Sequence, residues 1–322
     1  VSLEIVPLEE GHLEDAAALF ISRFRALRER VPCLPTRYQK PNNLLPMLNK
    51  LANRGPGAAA IRDGRLVGFL AGYVIPEFRG KRSTFSPEWA NAAELEDSRR
   101  IYDEMYEHLS ARWVADGCLV HLVSLLPDDR QAIEGWHWQG FGFIAADGIR
   151  GLTPVPDPPA DPTAEVDVRR GGPEQIEQVT GLIEGLRRHL AAAPTFLPLS
   201  ETEETSVDEA WLADPAHVLW LAYRGSEAVG LMGLGPANPL ACTLIRDVKT
   251  TSVLSAYTQR DARGKGIAAA LLNQGLSWAR TQGYQRCAVD WEPANILATR
   301  FWTRHFDPVS YTLVRHVDEG VA

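Results

Sequence analysis

The same order of local signals runs twice through these 322 residues, which points to a duplicated fold and away from one large core. Each half opens with a short strand and a helix. In the second half Pro173 stands at a helix start, and Ile176, Val179, Leu182, Ile183, Leu186 and Leu190 follow at three-to-four spacing, so one helix face is apolar. Hairpins come next: GAAAIRDGRLVGFLAGYV with Asp63-Gly64 at its turn, and HVLWLAYRGSEAVGLMGLG with Gly225-Ser226 at its turn. Long helices are then expected from about Glu96 to Asp116 and from about Gly264 to Gln282, ended by Gly117 and Gly283. Both lead into short apolar strands, CLVHLVSLL and CAVDW. After each strand, Asp129, Ala132 and Trp136 repeat the spacing of Asn295, Ala298 and Trp302. Between the halves lies GLTPVPDPPADPTAEV, whose prolines favour an extended connector. The expected organisation is a first domain over 1–151, a linker over 152–165 and a second domain over 166–322.

Charge narrows the partners. A net charge of −8 argues against nucleic acid, whose phosphates need a clustered basic surface, and favours a cationic small molecule. Cys33, Cys118, Cys242 and Cys287 are scattered without a CxxC pair, so they read as reduced thiols. No histidine pair has a metal-ligand spacing such as HExxH, and no metal is expected. The first twenty residues lack the basic and apolar regions of a signal peptide, and no stretch approaches the roughly 20 apolar residues of a membrane span. A cytoplasmic location with no membrane partner is the expectation.

The segment that carries chemistry is TTSVLSAYTQRDARGKGIAAALLNQGLSWARTQG. A strand ends at Thr258, and Arg263-Gly264-Lys265-Gly266-Ile267-Ala268 opens a helix. The first N–H groups of a helix have no intrahelical partner and sit at the positive end of its dipole, so they hold phosphate oxygens; glycine lets the backbone approach. A nucleotide-triphosphate loop needs Ser or Thr after Gly-Lys and a glycine five residues earlier, where this chain has Gly266 and Gln259. A dinucleotide-binding turn fits loosely as Gly264-x-Gly266-x-x-Ala269, but fewer than two further strand–helix units remain after it.

Arg263-x-x-Gly266-x-Ala268 between a strand and a long helix resembles the pyrophosphate loop, Q/R-x-x-G-x-G/A, of the GNAT acetyltransferase superfamily. Asn295-x-x-Ala298-x-x-Phe301-Trp302, with Phe306 beyond, is similar to the family's N-x-x-A-x-x-F-Y block. The likeness covers Val166 to Val314 and, more weakly, Val1 to Arg150. It implies an α/β fold of two tandem GNAT-like domains, each a mixed, mostly antiparallel sheet flanked by helices.

By that resemblance, acetyl-CoA is the cosubstrate and a small-molecule amine the acceptor, with direct transfer in a ternary complex. Amides from Arg263 to Ala268 would take the pyrophosphate. Asn295, with Ala298 and Trp302 of the same block, would meet the coenzyme, and backbone groups near Tyr257 and Thr258 would pair with pantetheine, one polarising the thioester. Trp302 replaces the family's tyrosine, which puts general-acid catalysis by that position in question. Asp290 and Glu292, two apart on a strand, are general-base candidates, although carboxylates there also suit a helix cap. Tyr311 is a further acid or base candidate. A coenzyme-binding sensor or scaffold, and a peptide N-acetyltransferase, remain as alternatives, as do monomer and homodimer. Acceptor specificity is expected in the variable segments Pro194–Asp214 and Leu34–Asn53.

The first half reads Glu94-Leu95-Glu96-Asp97-Ser98-Arg99-Arg100-Ile101 at the equivalent helix start. Carboxylates there repel an anion, so this copy is expected to be degenerate and to hold no coenzyme.

Overall fold

The computed structural model describes residues 2–156, 166–198 and 207–321. Residues 157–165 of the proline-rich linker and 199–206 of the second half's variable segment lie outside the described residues. The chain forms two compact units. The first comprises Val1–Asp147, Cys242–Leu244 and Pro308–Ala322, and the second Gly148–Ala241 and Ile245–Asp307.

In the first unit the order is β1 (Glu4–Pro7), α1 (Leu13–Arg30), α2 (Pro41–Ala52), β2 (Gly57–Arg62), β3 (Arg65–Ala71), β4 (Tyr73–Phe78), β5 (Lys81–Ser86), β6 (Asn91–Ala93), α3 (Ser98–Ala115), β7 (Val120–Leu125) and α4 (Arg130–Trp138). β8 (Gly142–Gly151) spans the division between units. The second unit carries β9 (Asp167–Arg170), α5 (Ile176–Ala191), α6 (Glu209–Ala213), β10 (Val218–Arg224), β11 (Glu227–Pro236), β12 (Thr250–Thr258), α7 (Ile267–Thr281), β13 (Arg286–Trp291) and α8 (Ile296–His305). A last strand, β14 (Asp307–His316), pairs antiparallel with β7, Tyr311 opposite Leu125.

The expected hairpins and long helices are present. Asp63 and Gly64 both take positive φ (52° and 71°), the left-handed pair that a two-residue turn between β2 and β3 requires. Pro173 opens a short 3-10 turn before α5, and Val179, Leu182 and Ile183 bury against Leu219, Leu221 and Leu231 of β10 and β11. β11 divides its side chains between two helices: Leu231 faces α5, whereas Gly230 and Leu234 lie against Ile267 and Gly275 of α7. The sheet is mixed, since β12 runs antiparallel to β11 but parallel to β13.

The repeated spacing seen in the sequence has a structural cause. Asp129 caps α4 by accepting the Ala132 N–H at 2.9 Å, and Asn295 caps α8 by accepting the Ala298 N–H at 3.3 Å. Seven residues beyond each cap a tryptophan turns inward: Trp136 against Phe141 and Trp302 against Phe306, both edge-on.

Candidate functional site

The helix start singled out in the sequence carries no side-chain cap among the described residues. Gly264 and Gly266 sit at φ 77° and 79°, a region that costs L-residues energy, and Gly266 is the N-cap of α7. Its carbonyl accepts the first helical bond from Ala270 at 3.0 Å, and among the described residues no side chain caps it. The N–H groups of Ile267, Ala268 and Ala269 therefore have no intrahelical acceptor. Arg263 is fixed beside them, its Nε donating to the Thr258 carbonyl at 3.0 Å and its guanidinium 5.7 Å from the Tyr257 ring centre. Lys265 is exposed at the rim.

An open strand edge leads away from that mouth. β12 pairs with β13 from Thr250–Ser252 to Arg286–Ala288, and among the described residues, 253–258 have no strand partner on that side. Five steps at about 3.3 Å give roughly 17 Å of unpaired backbone. At its far end β12 bulges, with Leu234 opposite Val253 but Gly233 opposite Ser255, leaving Leu254 as the extra residue.

Side chains gather around the lane. Tyr257 packs over Gly185 of α5, where even a Cβ would come within 2.8 Å of its ring. His189, one turn on, lies 3.3 Å by Nε2 from Asn295 Oδ1. Burial lowers the His189 pKa, Arg263 lowers it further and the Asn295 contact opposes both. On β13, Asp290 accepts from Asn238 Nδ2 at 3.0 Å. Its residue surface is exposed, yet burial of the carboxylate raises its pKa, with the Asn238 bond opposing. Glu292 stands just past the strand, half-buried, and its carbonyl accepts the Asn295 N–H at 2.9 Å. The following helix is capped by Asn295, whose Oδ1 accepts the Ala298 N–H.

Residues 184–307 match the model of the Acetyltransferase (GNAT) family. They form a GNAT domain. Over the whole chain the fold is similar to that of a GCN5-related N-acetyltransferase from Sphaerobacter thermophilus, with 14% identity, coverage of 98% of this chain and 95% of that one, and a TM-score of 0.54. A tandem GNAT protein from the clavulanic acid biosynthesis pathway is also similar, with 12% identity, coverage of 98% of both chains and a TM-score of 0.42. No curated protein sequence matches the chain.

Within the GNAT domain the structure brings Tyr257, Thr258, Arg263, Gly264, Lys265, Gly266, Ile267 and Ala268 to the helix mouth. Asn295 and Ala298 stand at the α8 cap, and Asp290 and Glu292 along and just past β13. Trp302 is set apart, 6% exposed and packed against Phe301 and Phe306. Tyr311 belongs to the first unit, where its ring lies 5.1 Å from Phe143 and burial raises its pKa. His189, Trp211, His217 and Ser255 were not singled out by sequence. A histidine or serine on an amphipathic element gives no local signal, because its neighbours come from elements far along the chain. Among the described residues, no three His, Cys, Asp or Glu side chains are grouped to hold a metal ion, and no helix is long and apolar enough to cross a membrane.

Proposed function

We propose that the GNAT domain transfers an acetyl group from acetyl-CoA to the amine of a small molecule. The observation that carries this reading is the uncapped mouth of α7 opening onto the unpaired edge of β12. The diphosphate would take the N–H groups of Ile267, Ala268 and Ala269 together with the loop amides from Arg263. Pantetheine would run along residues 258 to 253, which places the thioester at the Leu254 bulge. A backbone N–H there would stabilise the oxyanion that forms on attack. Asn295 and His189 would flank the arm on the α5 side. Asp290 and Glu292 supply negative charge near the reactive end, which draws an ammonium ion.

Direct transfer suits the cysteine environment. Cys287 is fully buried and its pKa is pushed up to about 12 by that burial, so it stays a protonated thiol and offers no nucleophile for an acyl-enzyme. Trp302 in the core means that the departing thiolate receives no proton from that position, which a thiolate tolerates. The same burial favours a second reading, a coenzyme-binding sensor. Release of free thiol from acetyl-CoA across a panel of amines decides between them. Turnover with any amine supports the transferase, and tight coenzyme binding without release for all of them supports the sensor.

The first unit is proposed to hold no coenzyme. Its helix α3 starts with Asp97 at φ 67°, the conformation Gly266 has in the GNAT domain, and Arg62 binds the Asp97 carboxylate at 2.9 Å. Arg65 holds Glu94 in a two-pronged pair beside it. Carboxylates at that helix start disfavour an anion there.

A further inference from the structure

An alkylamine arrives at neutral pH as an ammonium ion and cannot attack a thioester until a proton has left. At the bulged end of β12 the surface facing α5 is floored by two glycines, Gly233 and Gly235 of β11. A Cβ on Gly235 would collide with the His217 ring and come within 2.8 Å of Leu254, the bulge residue. A Cβ on Gly233 would come within 2.7 Å of Ser255 Oγ and 3.1 Å of Trp211. His217, Leu254, Ser255 and Trp211 therefore converge where β12 parts from β13.

Two polar atoms there are unsatisfied. Ser255 is 8% exposed, and its Oγ has no hydrogen-bond partner among the described residues. Such an atom normally finds one. His217 Nδ1 lies 3.4 Å from Asp214 Oδ2 without closing a hydrogen bond, and Trp211 stacks flat on the imidazole at 4.5 Å and 12°. The other nitrogen, Nε2, is the one nearer Gly235, 3.0 Å from where a Cβ would be. One side of the ring thus lies beside a carboxylate, one face is clamped, and Nε2, with no hydrogen-bond partner among the described residues, lies near Gly235 and the bulge residue Leu254. The side chain keeps 19% of its surface exposed, so protons can leave through it to water.

We propose that His217 takes the proton from the acceptor amine, with Asp214 orienting the imidazole and Ser255 Oγ holding the amine nitrogen. This rests on the transferase reading above. His217 first removes the extra proton of the ammonium ion and passes it to solvent. The lone pair of the neutral amine then forms the C–N bond, the C–S bond breaks, and its electron pair leaves on sulfur. The proton lost by nitrogen moves through His217 Nε2 to the thiolate, so that amine and thioester become amide and thiol.

Thiol release at saturating acetyl-CoA tests the assignment, with benzylamine, an ammonium ion at neutral pH, compared with aniline, neutral at the same pH, at the head of a panel of alkyl- and arylamines. His217→Gln is expected to slow transfer to alkylamines by about 10²–10⁴-fold and to arylamines by less than about tenfold, with coenzyme affinity in calorimetry unchanged. Ser255→Ala is expected to raise KM for the amine and leave kcat nearly intact. Equal losses for both amine classes, or no loss for either, would overturn the role of His217 while the transferase reading stands. No thiol release by the unmodified protein with any amine of the panel would remove the transferase reading, and this role with it.

Discussion

Gly266 and Asp97 stand at the same place in two equivalent helices, at φ 79° and 67°, and the contrast between them is the chemical difference between the halves. Glycine adds no side chain at the start of α7, whereas Asp97 adds a carboxylate, paired with Arg62, at the start of α3. Gly266→Asp is expected to abolish acetyl-CoA binding, and Asp97→Ala to leave it unchanged, both read by calorimetry. The glycines and the carboxylates were legible in the sequence because the signal is local. The Arg62–Asp97 and Arg65–Glu94 pairs were not, since each joins residues far apart in the chain. His121 couples folding to pH. It is fully buried on β7, with Nδ1 2.7 Å from the Tyr106 hydroxyl and Nε2 3.0 Å from the Cys118 carbonyl. Burial lowers its pKa from 6.5 to about 4, the carbonyl opposing and Arg315 reinforcing. The unfolded chain therefore gains a proton below pH 6.5 that the folded chain refuses. Stability present above that pH declines as pH falls toward 4, by on the order of 3 kcal/mol. Urea midpoints should drop across this window, and His121→Gln should flatten the drop.

The strand that precedes the long helix differs most between the halves. In the GNAT domain β12 is continuous, leaves β13 after Ser252 and keeps an open edge. In the first unit the same course is cut in two: β5 runs parallel to β7 up to Ser86, and β6 resumes beside β3 at Asn91. Asn91 closes the gap between them. Its Nδ2 lies 3.1 Å from Ser86 Oγ and 3.0 Å from the carbonyls of Pro87 and Ser124, while its Oδ1 accepts from the Tyr102 hydroxyl at 2.9 Å. Burial pushes the Tyr102 pKa well above its ordinary value, so the phenol remains a donor. Asn91→Ala would leave Tyr102 and Ser124 without these partners in a buried place, at a cost of about 2–4 kcal/mol. Chemical denaturation should show that loss while the number of bound coenzymes stays the same. Hairpins and helix ends were readable because Asp63-Gly64, Gly117 and Gly283 each act on their own neighbourhood. The parting of strands was not, because it depends on which backbone each residue meets across the sheet.

At the scale of the whole chain, the duplication was visible in the order of elements, and the fold of the relative from Sphaerobacter thermophilus runs along nearly the entire length. The course of the last strand was not visible. Residues 308–316 follow the GNAT domain in sequence but belong to the first unit, where 311–316 pair with β7, Val309 and Leu313 are fully buried and Ser124 Oγ meets Thr312 Oγ1 at 2.7 Å. Strand partners are set by contacts between distant segments, which alternating apolar residues cannot identify. Removing residues 308–322 should expose β7 and forfeit about 1.5–3 kcal/mol for each large buried side chain lost. Hydrogen exchange should then show β7 unprotected. Whether one coenzyme binds per chain can be read from a crystal structure of the full chain with acetyl-CoA. A single molecule per chain is expected, with its diphosphate on the N–H groups of Ile267, Ala268 and Ala269 and its arm along residues 253–258. An empty α7 mouth, or a second coenzyme at the start of α3, would contradict it.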